Sequence, residues 1–176
     1  MASTLAALML AGVLSAFLLI GRAGFASSGY SEMEAQTRRA LEIFGNDVRN
    51  ANDLHWNSAQ SITLLVVGGG GTARPVTYAY DAAGRGATAQ CFYRLEGEAD
   101  STQPRRVLVY GVARDFTFGR YRLEQDGGVD NTARNDLETK LLEISLRSSR
   151  TRTTASPATH TALSARYILR NKRVSN

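Results

Sequence analysis

The segment MASTLAALMLAGVLSAFLLI, residues 1–20, decides the fold prediction because it contains no charged residue. As an α-helix rising about 1.5 Å per residue, it is long enough to cross the roughly 30 Å hydrocarbon core of a bilayer. A helix also satisfies its own backbone donors and acceptors in lipid. We therefore predict a membrane-anchoring helix. The residues expected to carry anchoring and helix packing are Leu5, Leu8, Leu10, Val13, Leu14, Phe17, Leu18 and Leu19.

The same segment has a second interpretation, the apolar core of a signal peptide cleaved near Ala26. Two features favour the anchor. No Lys or Arg precedes the apolar run, and a core of twenty residues is long for a signal peptide. The first half of the helix is therefore expected to remain part of the protein.

An amphipathic pattern follows the apolar run. Apolar residues recur at steps of three and four, which is typical of a helix with one face buried. We predict a single helix from about residue 2 to about residue 53, weakened near Gly21–Gly29 because glycine lowers helix stability by up to about 1 kcal/mol relative to Ala. The residues predicted to pack this helix on the rest of the protein are Tyr30, Met33, Leu41, Phe44 and Val48.

Beyond Trp56 the sequence changes to alternating and β-branched runs separated by turn residues. The predicted strands are Ser61–Val67, Pro75–Tyr80, Thr88–Leu95, Arg106–Val112, Phe116–Leu123, Lys140–Leu146 and Ala162–Leu169. Short turns between them favour an antiparallel sheet. The expected class is α+β: a long helix with a transmembrane half (1–29) and an amphipathic half (30–55), packed on an antiparallel sheet domain (56–176).

Positive charge is concentrated at the C-terminal end. The formal net charge is +5, and residues 144–176 contain seven basic residues and no acidic one. We favour a solvated basic edge of the sheet, and the alternative is an accessory surface that binds the phosphates of nucleic acid. The candidate phosphate contacts are Arg147, Arg150, Arg152, Arg170, Lys172 and Arg173.

Motifs that carry chemistry are missing from the sequence, so we predict neither an enzyme nor a cofactor or metal site. Cys91 is the single cysteine, which excludes an internal disulfide, and its alternating strand predicts a buried structural thiol. The histidines, His55 and His160, have no neighbours at metal-ligand spacing. Oxygen ligands between Asp126 and Asp136 suggest calcium, but their spacing differs from the calcium-binding loop of helix-loop-helix proteins, so a solvated turn is favoured.

The run LSAFLLIGRAGF (14–25), the run YSEMEAQTRRALEIFGNDVRNA (30–51) and the strand pieces VLVYGVARDFTFGRYRL, KLLEISL and SARYILRNKR resemble type IV pilins and the minor pseudopilins of type II secretion. In that family a basic leader ends in Gly and a Glu occupies the fifth mature position. Here Leu5 stands at that place if Met1 is the mature start. We therefore expect the family's leader and first mature residues to lie upstream of this sequence, and no cleavage or methylation site is assigned to a numbered residue.

The resemblance implies a structural function. It implies a helix held in the inner membrane before assembly and in the filament core afterwards, with the sheet domain in the periplasm. It implies as partners other pilin or pseudopilin subunits, the prepilin peptidase and the assembly platform. Arg22 directly after the span would by itself favour a cytoplasmic sheet domain, whereas a basic leader would reverse that orientation.

Overall fold

The protein is α+β, with an N-terminal helix packed on antiparallel β-sheets. The computed structural model describes residues 2–123, 131–150 and 159–173, and it describes their side chains except at 2–3, 5–8, 22–30, 150 and 159–161. Within these residues, one helix precedes eight strands. Their bounds are α1 Ala2–Asn50, β1 Ala51–Ser58, β2 Ser61–Val67, β3 Ala73–Asp81, β4 Cys91–Glu96, β5 Arg106–Val109, β6 Thr117–Tyr121, β7 Leu141–Arg150 and β8 Thr159–Ile168.

The strands form two antiparallel sheets. The first contains β1 to β5 in chain order, and the second contains β6, β7 and β8 in chain order. The segment after β5 joins them, because Val112 bridges to Ser148 of β7 while its N–H donates to the carbonyl oxygen of Gln90 at 2.8 Å. Gly111 is required in this segment. Its φ is +63°, and a Cβ there would lie 2.4 Å from the carbonyl oxygen of Ser149.

Strand β1 corrects the predicted end of the helix. We expected helix to about residue 53, but α1 ends at Asn50 and Ala51–Ser58 pairs with β2. This strand has no regular alternation and contains bulges between Ala51 and Asp53 and between Trp56 and Ser58. Because its residues lack the β-branched pattern of a typical strand, pairing with β2 rather than local propensity determines its conformation.

The other strands correspond to the seven predicted ones, with shifted ends. Thr88–Gln90 forms the turn before β4 instead of its first residues, and Phe116 precedes β6. The sequence of residues 148–161, which is rich in Ser and Thr, predicts a mobile surface connection. In fact its first three residues end β7 and its last three begin β8, while 151–158 lie outside the described residues.

The core lies between α1 and the inner faces of both sheets. Alternate residues of β2, β3 and β7 face this core, as the two-residue period of a strand requires. The buried members of this core include Ala40, Phe44, Val48, Ile62, Leu64, Val76, Tyr78, Phe92, Phe118, Leu142 and Ile144. A smaller cluster of Ala79, Tyr93 and Leu95 lies on the other face of the first sheet. The guanidinium of Arg105, from the loop after β4, lies 4.9 Å from the centre of the Tyr93 ring.

Candidate functional site

The first half of α1 carries a band of exposed apolar side chains that we call the free apolar segment, residues 9–21. All of its side chains are solvent-exposed, on every side of the helix. Its large apolar side chains are 57% to 75% exposed: Met9, Leu10, Val13, Leu14, Phe17, Leu18, Leu19 and Ile20. Burying one such side chain contributes about 1.5–3 kcal/mol. The free apolar segment therefore has a large unused capacity for burial, of the kind that marks an interaction surface.

Six of the eight residues predicted to anchor the helix belong to this segment, and the side chains of Leu5 and Leu8 lie outside the described residues. Met9 and Ile20 belong to it as well. They were left out of the predicted set although they lie in the same uncharged run. Within the described part of the chain, the structure contains no helical stretch that is both apolar enough and long enough to cross a membrane.

The second half of α1 is fastened to the sheets through a buried face. Met33, Phe44 and Val48 are buried, Leu41 is half-buried, and the side chain of Tyr30 lies outside the described residues. Thr37, a polar residue on the same face, is buried because its hydroxyl donates to the carbonyl oxygen of Met33 at 2.9 Å. We call the half of the helix that carries this buried face the docked half.

Phe44 forms the centre of the docked half. Its ring packs against four aromatic rings from four strands: Tyr78 at 5.0 Å, Tyr167 at 5.5 Å, Phe118 at 5.7 Å and Phe92 at 6.5 Å between ring centres. The contacts to Tyr78 and Tyr167 are edge-to-face, a favoured geometry that adds to the burial of apolar area. One helical residue thus joins both sheets, because Tyr78 belongs to β3 whereas Phe118 and Tyr167 belong to β6 and β8.

A close approach at Gly45 brings the helix onto β8. A Cβ on Gly45 would lie 2.5 Å from a ring carbon of Tyr167, so this position accommodates glycine alone without movement. The Tyr167 hydroxyl donates to the carbonyl oxygen of Leu41 at 3.1 Å. Burial raises the pKa of that hydroxyl, which keeps it a neutral donor.

A polar anchor beside the aromatic cluster was missed by the sequence analysis. Both the Tyr78 hydroxyl, at 2.6 Å, and Nε of Arg94, at 2.9 Å, donate to Oδ2 of Asp47 on the helix. Arg94 also pairs with Glu96. Burial, and then the charge and hydrogen bond of Asp47, raise the pKa of Tyr78. The alternation of β3 could have indicated that Tyr78 faces the helix, but nothing local in sequence indicates its partner.

The structure divides the predicted basic residues into two groups. Arg147 and Arg150 lie toward one end of β7, and Arg170, Lys172 and Arg173 follow β8 at the other end, where Ile168 pairs with Leu141. Arg150 and Leu141 are separated by about 30 Å at the spacing of an antiparallel strand.

Two of these basic residues also form ion pairs with acidic residues. Arg147 pairs with Asp115 at 3.0 Å, and Lys172 is 3% exposed and pairs with Asp53 at 3.2 Å. The side chain of Arg150 and all of Arg152 lie outside the described residues. The structure therefore does not form one exposed basic surface from the described residues, and nucleic-acid binding stays a prediction.

The side chains that could act as a nucleophile or a metal ligand make structural contacts instead. Cys91 is buried, and burial raises the pKa of its thiol. Asp136, from the suggested calcium loop, receives Arg120 Nη1 at 3.0 Å and the main-chain N–H of Trp56 at 3.1 Å. Asp126 and Asp130 lie outside the described residues. Over 2–123, 131–150 and 159–173, no cluster of three His, Cys, Asp or Glu residues could hold a metal ion.

No protein-family model matches the chain, and no curated protein is similar to it in sequence. A helix is fastened by one half to a compact double sheet, through Phe44, Gly45 and Asp47. The free apolar segment of the same helix presents apolar side chains on all sides. Such an arrangement can pack a helix among several others, or place it in an apolar environment, while the sheet domain keeps its structure.

Proposed function

We propose that this chain is a structural subunit, a minor pilin or pseudopilin, of a type IV pilus or a type II secretion filament. The observation that carries the proposal is the free apolar segment, whose large side chains are 57% to 75% exposed on every side of the helix. A helix that docks on one partner needs one apolar stripe, whereas a helix surrounded by other helices or by lipid is apolar all round. The free apolar segment has the second pattern.

The proposed mechanism is an exchange of neighbours. Before assembly the first half of α1 is held among lipid chains in the inner membrane, with the sheet domain in the periplasm. On assembly it exchanges lipid for the helices of other subunits, to which small residues such as Ala11, Gly12 and Ala16 allow a close approach. The docked half holds the sheet domain on the same helix throughout. The proposed partners are therefore other pilin-like subunits, the inner membrane and the assembly machinery.

The test places a charge in the free apolar segment. Leu14→Arg is expected to prevent stable membrane association and incorporation into assemblies, because a charge at mid-span costs about 2.5–3.5 kcal/mol on insertion scales, or roughly a hundredfold in partitioning. The measurement is membrane fractionation of the full chain, followed by cross-linking of the membrane fraction. Ala35→Arg is the matched control, since it adds the same charge to the same helix at an exposed position of the other half.

Wild-type fractionation and cross-linking by Leu14→Arg would refute the proposal. Loss of both properties in Ala35→Arg as well would show that any added charge on the helix has this effect. The free apolar segment would then have no special function.

A further inference from the structure

A cavity of about 340 Å³ lies where the chain leaves α1 and where its last described residues return. Three segments form it: the start of β1, the turn before β7 and the segment after β8. Its lining consists of Asn52, Asp53, Leu137, Asn171, Lys172 and Arg173. The volume is at the lower end of the range for ligand pockets, which suits a small ligand.

Lys172 is the most informative residue of this lining, because its side chain is buried while the residue borders the cavity. Lys172 is 3% exposed, and its Nζ lies 3.2 Å from Oδ1 of Asp53. That same oxygen also accepts the main-chain N–H of Leu54 at 2.8 Å. A lysine ammonium has three N–H donors, and among the described residues Asp53 supplies its acceptor. Buried donors require acceptors, and the adjoining cavity is a place where a further acceptor can lie.

The charges around the cavity favour an anion. Lys172 and Arg173 contribute two positive charges and Asp53 one negative charge, which leaves an excess of one positive charge in the lining. Lys140 adds a further ammonium nearby. It donates to the main-chain carbonyl oxygen of Lys172 and, at 3.4 Å, to that of Arg170, and so holds the segment after β8 in place.

The positions of the charged groups distinguish between possible anions. A carboxylate places its single negative charge near Lys172 and Arg173, whereas a phosphate dianion would bring a second negative charge toward the carboxylate of Asp53. The side chain of Leu137 is 59% exposed and gives the cavity an apolar wall. The amides of Asn52 and Asn171 supply neutral donors. A carboxylate with a short apolar body fits this combination of groups.

We propose that this cavity binds a small organic carboxylate, whose oxygens contact Lys172 and Arg173 and whose apolar part contacts Leu137. The site is independent of the proposed filament function, because it lies beyond the end of α1 and uses no residue of the free apolar segment. The carboxylate belongs either to a free small molecule or to an acidic side chain of a neighbouring protein, since both present the same chemistry.

The experiment is a titration of the full chain in detergent micelles, followed by the backbone amide signals of residues 52–53 and 171–173 in NMR spectra at constant ionic strength. Butanoate represents the free carboxylate. N-acetyl-glutamic acid amide, with both backbone ends blocked, represents an acidic side chain. We expect saturable shifts with a dissociation constant on the order of 1 mM, as suits a ligand of a few heavy atoms. The tighter of the two ligands identifies the source.

Neutral butanamide is the ligand control and should leave these signals unchanged. Arg173→Gln changes an exposed side chain, so the fold should be retained, and it should weaken butanoate binding about tenfold. Arg106→Gln is the matched control and should leave butanoate binding unchanged, since Arg106 is an exposed arginine at another strand end. Lys172→Gln should remove binding while thermal unfolding reports whether the variant folds.

Three results would overturn the proposal. They are shifts that fail to saturate with either carboxylate, equal shifts with butanamide, and unchanged affinity in Arg173→Gln.

Discussion

The polar anchor at Asp47 leads to the most specific prediction about how the helix is held. Asp47→Ala removes the carboxylate that accepts hydrogen bonds from Tyr78, at 2.6 Å, and from Arg94, at 2.9 Å. Both of its partners come from the first sheet. The substitution therefore detaches the polar contacts between α1 and that sheet while leaving the apolar contacts of Phe44 in place.

The expected loss of stability can be bounded from the burial of the groups involved. Removing one member of a buried ion pair costs about 3–5 kcal/mol, because it leaves an uncompensated charge. Here the side chains of Arg94 and Asp47 are 11% and 18% exposed, and Arg94 retains Glu96 as a partner. We therefore expect Asp47→Ala to lower the free energy of unfolding by about 2–3 kcal/mol. Tyr78→Phe, which removes a single hydrogen bond, should cost about 1 kcal/mol.

Urea unfolding of the full chain in detergent, followed by the fluorescence of Trp56, measures these changes. Trp56 is the single tryptophan and lies in β1 of the same sheet. Glu34→Ala is the control, because Glu34 also pairs with an arginine, Arg38, on the same helix, but at an exposed position. Exposed pairs at this spacing contribute about 0.3–0.5 kcal/mol.

The double variant Asp47→Ala/Tyr78→Phe measures the contribution of the hydrogen bond between Tyr78 and Asp47 separately from the other contacts of the two residues. Its loss should be smaller than the sum of the two single losses by about 1 kcal/mol, since each single variant already removes that bond. An effect of Asp47→Ala no larger than that of Glu34→Ala would refute the anchor. Strict additivity in the double variant would refute the coupling of Asp47 to Tyr78.

Two further predictions concern other contacts of the fold. Gly45→Ala should lower the free energy of unfolding by about 1–3 kcal/mol, because the new Cβ overlaps the Tyr167 ring. Gly21→Ala is the control and should not lower it, since there is open space around Gly21. Equal effects of the two variants in urea unfolding would contradict the close approach of Gly45 to Tyr167. A hydrogen bond from Thr88, and then one from a main-chain N–H, lower the pKa of Asp81 in the folded protein. The contribution of Asp81 to the free energy of unfolding is therefore present above its unfolded pKa of about 3.9 and is lost as the pH falls through its folded pKa. Urea midpoints measured between about pH 5 and pH 2 should therefore fall less steeply in Asp81→Asn than in the wild type, and parallel curves would contradict this contribution.

Local patterns of residues predicted the helix, seven of the strands and the α+β class. Each depends on a local pattern. The run of steps of three and four from Met33 to Val48 indicated the buried face of the helix, and runs such as Ser61–Val67 indicated strands. Glu143 is a further example, because its place between the apolar Leu142 and Ile144 of a strand directs its side chain to solvent or to a cross-strand arginine. Nε of Arg166 on β8 does donate to it, at 2.5 Å. Hydrophobic period is a property of neighbouring residues, so it can be read without the fold.

Contacts between residues distant in sequence account for the features that no local pattern predicted. Strand β1 has no strand-like pattern, and the register with β2 determines it. Asp47 finds its donors 31 and 47 residues further along the chain. Lys172, which composition places in a basic surface, is buried against Asp53 because the segment after β8 returns to the end of α1. Burial and ion pairing arise from the closure of such separated segments, and no local period encodes which segments meet.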